Sequence, residues 1–182
     1  MKNSDFIITL AWPEGLVTAA GAENAKYNND GTKMYITNQE RIEQYSLSTA
    51  YDISTASYDS INVVVATGDF PTDTKFNSDG TKLFIIGTVT DSVHQYSLST
   101  AYDLSTISYD SISFSVSGTI SNPRSLNFNN DGSKMYIIGR NTDDIFEYDL
   151  STAWDITTIS LLQSLPLTSG FNESNPSGLF FS

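Results

Sequence analysis

Short apolar stretches recur along this chain, and none has the length and helix-forming residues of a long amphipathic helix. Lys134-Met135-Tyr136-Ile137-Ile138-Gly139 is nearly continuously apolar, the pattern of a strand covered on both faces. Before it, in Asn122-Pro123-Arg124-Ser125-Leu126-Asn127-Phe128, Leu126 and Phe128 sit two apart and share a strand face. After it, Phe146, Tyr148 and Leu150 alternate within a third strand. A fourth kind of strand is clearest at Ile112, Phe114 and Val116, spaced by Ser113 and Ser115, and reads as half exposed. In strand order these are a, b, c and d.

The set repeats about every fifty residues. Asn-x-Asp-Gly-Thr/Ser-Lys stands at Asn28–Lys33, Asn77–Lys82 and Asn129–Lys134, between strands a and b. Glycine tolerates positive φ there and Asn/Asp bond their own backbone, so the motif predicts a tight turn. Leu-Ser-Thr-Ala-aromatic-Asp stands at Leu47–Asp52, Leu98–Asp103 and Leu150–Asp155. Four antiparallel strands per block predict an all-β fold of β-propeller blades. A parallel β-helix needs shorter rungs, and a two-sheet sandwich does not explain the strict repetition. The expected organisation is one repeat domain over 1–182, with repeats at roughly 20–68, 69–118 and 119–170.

Partial strands are expected at 5–12 and 173–182: a d strand over Phe6–Leu10, and a fresh a strand in Asn175–Ser182 that matches Asn122–Asn129. Three four-stranded blades plus an extra N-terminal d strand and C-terminal a strand make an incomplete ring in one chain, since rings usually have about four to eight blades. Open strand edges invite pairing with other chains. The expectation is head-to-tail self-association, most simply a dimer, through edges carrying Phe6, Ile8, Leu10, Leu179 and Phe181. A piece of a longer repeat protein gives the same strand count. In the third copy, Leu161–Leu167 has its apolar phase slipped by one, and Pro166 suits an edge or bulge.

Acidity narrows the partners. Nine Lys and Arg against twenty-one Asp and Glu give a net charge of −12, which opposes nucleic acid and anionic membranes. Without cysteine there is neither a disulfide nor a thiolate metal site. Met1–Phe6 does not begin a signal peptide, and no apolar run is long enough for a membrane span.

Catalytic chemistry finds little footing. His94 is the only histidine, its counterparts are Glu43 and Phe146, and it is expected to lie along a strand beside Tyr96 and Leu98. No Gly-x-Ser-x-Gly elbow or phosphate loop occurs, and the Asn-x-Asp-Gly turn lacks the distal Glu of a calcium loop. No metal or cofactor is expected. A glycosidase carboxylate pair would draw on Glu14, Glu23, Glu40 or Asp144, though acids in so acidic a chain are usually solvated surface.

The a–b turns and c–d loops barely change among the copies, whereas the b–c and d–a loops do. In an up-and-down blade these pairs lie at opposite ends. The changing end is therefore the candidate contact face, carrying Trp12, Glu14, Glu40, Arg41, Phe70, Asp91, Arg124, Arg140, Asp143 and Asp144. Tyr51, Tyr102 and Trp154 recur in register with Asp52, Asp103 and Asp155, which favours a structural corner over a sugar-stacking ladder.

Tyr35-Ile36-Thr37-Asn38 resembles the signature of YVTN-type β-propeller repeats, with Phe84–Gly87 and Tyr136–Gly139 as looser versions. The wider unit is similar to repeats of marine bacteriophage structural and tail-associated proteins. The resemblance implies a non-enzymatic structural or binding module of a virion, acting in decoration, tail-fibre assembly or host attachment, with itself or other virion proteins as partners. It brings no catalytic residues. The alternatives are a secreted or surface carbohydrate-binding propeller and, behind it, a propeller glycosidase or lyase.

Overall fold

The computed structural model describes residues 22–65, 68–142, 144–167 and 178–179. The expected strands at 5–12 lie outside the described residues, as do Phe6, Ile8, Leu10, Trp12, Glu14, Asp143 and Phe181.

Three four-stranded antiparallel sheets follow one another along the chain. The first is β1 (Ala22–Tyr27), β2 (Lys33–Asn38), β3 (Arg41–Leu47) and β4 (Ala56–Val64). The second is β5 (Pro71–Phe76), β6 (Lys82–Gly87), β7 (Ser92–Leu98) and β8 (Ile107–Ser115). The third is β9 (Pro123–Phe128), β10 (Lys134–Gly139), β11 (Asp144–Leu150) and β12 (Ile159–Pro166). In each, sequential strands are neighbours, as in an up-and-down blade. The expected all-β blade architecture is what the chain adopts.

Burial explains the apolar patterns. The b strands β2, β6 and β10 run through the blade middle and are buried on both faces over most of their length. The d strands β4 and β8 mix half-buried and exposed residues, and β12 is mostly exposed. Two core clusters lie between blades, and a smaller one, Met34, Ile36, Tyr45 and Leu47, lies on the first blade alone. Tyr35, Ile42 and Val63 of the first blade pack with Leu83, Ile85, Tyr96 and Leu104 of the second. Phe84, Ile86 and Val93 of the second pack with Leu126, Met135, Ile137 and Tyr148 of the third.

The two sequence landmarks form one structural unit. Asn28 Oδ1 accepts from Lys33 N (2.9 Å), and Asp30 Oδ1 accepts from Thr32 N (2.9 Å). The same bonds recur at Asn77/Asp79 and Asn129/Asp131. The hydroxyls of Thr32, Thr81 and Ser133, and then their backbone amides, hold Asp30, Asp79 and Asp131 below the usual carboxylate range. The corner aromatic then folds back onto the turn. Tyr51 N donates to Gly31 O (2.9 Å), and Tyr102 and Trp154 repeat the contact at Gly80 and Gly132. A Cβ on Gly80, at φ +74°, would lie 2.3 Å from the Tyr102 ring, so this position needs glycine on two counts. Asp52, Asp103 and Asp155 each cap the short 3-10 turn that follows. The corner role expected of these residues is the role they hold.

The slipped phase of the third d strand has a simple cause. β4 and β8 each carry two extra residues between paired positions, Asp59/Ser60 and Asp110/Ser111. β12 carries one, Leu162. One residue fewer in the bulge restores register, so Leu165 takes the place of Val63 and Phe114.

Candidate functional site

The a strands carry the loop end of the molecule from the inside. Asp73 on β5 is fully buried. Its Oδ1 accepts from Asn24 Nδ2 (2.7 Å) on β1, and Lys26 Nζ stands 3.3 Å away. Its Oδ2 accepts from Ser125 Oγ (2.8 Å) and Leu126 N (3.1 Å) on β9. One carboxylate thus ties the inner strands of all three blades. The position is small and polar in every copy (Asn24, Asp73, Ser125), the one signal in the sequence that marks it. Leu179 N donates to Ser125 Oγ (3.1 Å), continuing the pattern one position further.

A second buried carboxylate fixes the loops of the middle blade. Asp69, in the d–a link, accepts at Oδ1 from Phe70 N (2.9 Å) and Val89 N (2.7 Å), and at Oδ2 from His94 Nε2 (3.1 Å) and the Thr90 hydroxyl. Burial works against its charge, but the bonds from His94, Thr90 and the loop amides prevail and hold its pKa below the usual range. A Cβ on Gly87 would strike the Asp69 carboxylate, so glycine makes room for it. In the third blade Ile120 stands over Gly139 as Asp69 stands over Gly87, and Phe146 stands where His94 does. The polar pair of one blade is an apolar pair in the next. His94 does lie on β7 in line with Tyr96 and Leu98, as expected, but the pairing with Asp69 went unread.

Glu43 fills the equivalent position in the first blade. It is buried, accepting from Arg41 Nε (2.8 Å) and the Tyr45 hydroxyl (3.1 Å). Asp69, Asp73 and Glu43 are exceptions to the expectation that acids in this chain are usually solvated surface, whereas Glu23 and Glu40 are exposed. Each of the three is buried because backbone, lysine, arginine or histidine donors surround it.

The candidate contact residues among the described ones fall at one end. Thr88 N donates to Phe70 O, Asn122 N to Asp91 Oδ1 (3.1 Å), and Arg140 N to Asn122 O (3.0 Å), so b–c and d–a loops interlock. Phe70 and Glu40 are exposed, and Asp91 and Asp144 half-buried. Arg41 is engaged with Glu43, and Arg124 reaches Glu23 at 3.5 Å, bringing the first and third blades together. Glu23 also accepts from Gln39 Nε2 (2.8 Å). Arg140 is exposed at the rim. Among the described residues, no group of three or more His, Asp and Glu side chains is placed to hold a metal ion.

No protein-family model matches the chain, and no curated protein sequence does. Solved structures do. The periplasmic gluconolactonase PpgL of Pseudomonas aeruginosa matches at TM-score 0.60 and 14% identity over 82% of this chain and 40% of its own. A putative 6-phosphogluconolactonase of Bacteroides fragilis matches at TM-score 0.60 and 15% identity over 82% and 40%. The β-propeller domain of Cps50 (Swd1) of Myceliophteria thermophila matches at TM-score 0.52 and 14% identity over 78% and 41%. The chain therefore spans about 40% of the length of these proteins. At such identities the likeness concerns the fold alone, and in fold this chain is a three-blade portion of a β-propeller.

Proposed function

We propose that the chain is a non-enzymatic binding or structural module: a run of three propeller blades, completed into a ring by further copies of itself, that presents its b–c and d–a loops to a partner. One observation carries the reading. The loops at this end differ from copy to copy in sequence, yet buried Asp69 and the Asp91–Asn122 bond hold them rigidly on an otherwise repeated scaffold. Exposed Phe70 and half-buried Arg124 give this face the aromatic and guanidinium groups that dominate contact hot spots. Placement in a virion rests on the resemblance of the repeats to those of phage structural proteins.

Native mass spectrometry of the full chain tests the completed ring. A discrete multiple of the 20.0 kDa chain is expected, and a monomer at all concentrations overturns self-completion. Two structural neighbours bear lactonase names, so gluconolactone is the substrate to offer. No hydrolysis above background is expected, and turnover that is lost on substituting Glu40 or Asp144 overturns the non-enzymatic reading.

A further inference from the structure

Both joints between blades are built from the same parts. On one side stand an aromatic residue of the b strand (Tyr35 or Phe84) and apolar residues of c and d (Ile42 and Val63, or Val93 and Phe114). On the other stand the a-strand Phe76 or Phe128, the corner aromatic Tyr102 or Trp154, and the residue two beyond it, Leu104 or Ile156. The rings meet with centroids 4.7 Å (Tyr35–Phe76) and 5.2 Å (Phe76–Tyr102) apart in one joint, and 4.7 Å (Phe84–Phe128) and 4.9 Å (Phe128–Trp154) in the other. Polar bonds fasten the corner. The Tyr35 hydroxyl donates to Tyr102 O (2.6 Å), Leu104 N donates to Gln44 Oε1 (2.7 Å), and Lys82 Nζ donates to Trp154 O (2.8 Å).

Parts of the same kind recur on the two outer faces, where Met34, Ile36, Tyr45 and Leu47 of the first blade and Ile138 of the third are buried, while the corner of the first and the d-strand side of the third are open to solvent. Leu104 and Ile156 are each 2% exposed, but Ile53, their counterpart in the first blade, is 38% exposed and Tyr51 beside it 57%. Leu165 of the third blade is 55% exposed where its counterpart Val63 is 8% exposed. Ile145 is half-buried where Ile42 and Val93 are sealed. Lys134 stands at the place of Lys82, and Glu147 at the place of Gln44, with a carboxylate oxygen where Gln44 offers its amide oxygen. Leu179, beside β9, marks the inner limit of this face.

We propose that these faces are two halves of one further joint, in which the Tyr51–Ile53 corner of one chain seats on the Tyr136–Ile145–Leu165 face of a second copy. The inference rests on the self-completion proposed above and names its surface. The occupant is a second copy because the apolar face and the aromatic corner are the complements that the internal joints use, with Lys134, paired here to Glu147 and Asp149, at the place from which Lys82 reaches a corner carbonyl. Such a contact is heterologous, joining two different patches head to tail.

The test uses Ile53→Asp, which spoils the corner, and Leu165→Asp, which spoils the face, in the full chain by sedimentation velocity. The wild type is expected to assemble, each variant alone to sediment as a monomer, and an equal mixture to form a 1:1 dimer through its one intact joint. Formation of that dimer also shows both variants folded. Ile53→Ser and Leu165→Ser replace any aspartate variant whose circular dichroism is not native. Assembly unchanged in both variants overturns this surface while leaving self-association standing. Folded monomeric variants that do not combine overturn the head-to-tail arrangement. A wild type that is monomeric throughout overturns the self-completion on which the inference depends.

Discussion

Exchanging Asp69 and His94 for the pair found in the third blade, Ile and Phe, isolates what the buried polar cluster does. Asp69→Ile alone removes the acceptor for Phe70 N, Val89 N, the Thr90 hydroxyl and His94 Nε2. Leaving several buried donors without their acceptor costs about 3–5 kcal/mol in all, at about 1–3 kcal/mol for each unsatisfied group. His94→Phe alone leaves Asp69 its amide and Thr90 donors, so its cost is smaller, about 1–3 kcal/mol for one lost charge-assisted bond. The double variant sets an apolar pair where the third blade places Ile120 over Gly139 in one cluster with Phe146, although Ile120 enters one residue earlier in its link than Asp69 does. Replacing a buried polar pair by a fitting apolar pair is often neutral or stabilising. The two loop amides that lose their acceptor offset part of that gain. The double variant is therefore expected to lie within about 2 kcal/mol of the wild type, losing less than the roughly 4–8 kcal/mol sum of the singles, with a coupling of at least about 2 kcal/mol. Urea denaturation followed by circular dichroism measures this, given equal m-values. Additive losses would show that Asp69 and His94 act independently and would refute the equivalence of the two blades.

Gly80→Ala is expected to destabilise by about 2–4 kcal/mol, combining positive φ with overlap on the Tyr102 ring, read from the same urea transition. Asp73→Ala, which unties three inner strands at once, is expected to cost about 3–5 kcal/mol and to speed amide exchange in β1 and β9 together. Asp69 has a folded pKa below its unfolded value, so it adds stability above about pH 4 that is lost as the pH falls through the folded pKa. The D69I/H94F variant should accordingly lose less stability between pH 5 and pH 2 than the wild type, in melts recorded across that range.

Local pattern carried far in this chain. Lys134–Gly139 was legible as a doubly covered strand because every side chain between its ends meets protein, and β10 has those bounds. The Asp-Gly turn was legible because its bonds close within six residues. What could not be read locally was the contact between repeats. Asp73 meets Leu126 across 53 residues, and Gln44 meets Leu104 across 60, so neither has a partner inside its own block. The Asp69–His94 pair left only half a trace: His94 becomes Phe146, but Asp69 aligns with Ser121, and Ile120 reaches Gly139 from one residue earlier. Solvated acids were the general expectation because buried carboxylates are rare; donors from other loops and strands reverse it at Asp69 and Asp73. The bulge in β12 shows the opposite limit: one residue fewer shifted the apparent phase without moving the face that Leu165 presents.

The central claim is that these three blades form part of a ring closed by copies of the same chain. Class averages of the assembled particle by electron microscopy test it most directly. The account predicts a closed disc with a central channel and about six to eight radial blades when two chains join. Elongated, open or side-by-side particles would contradict it.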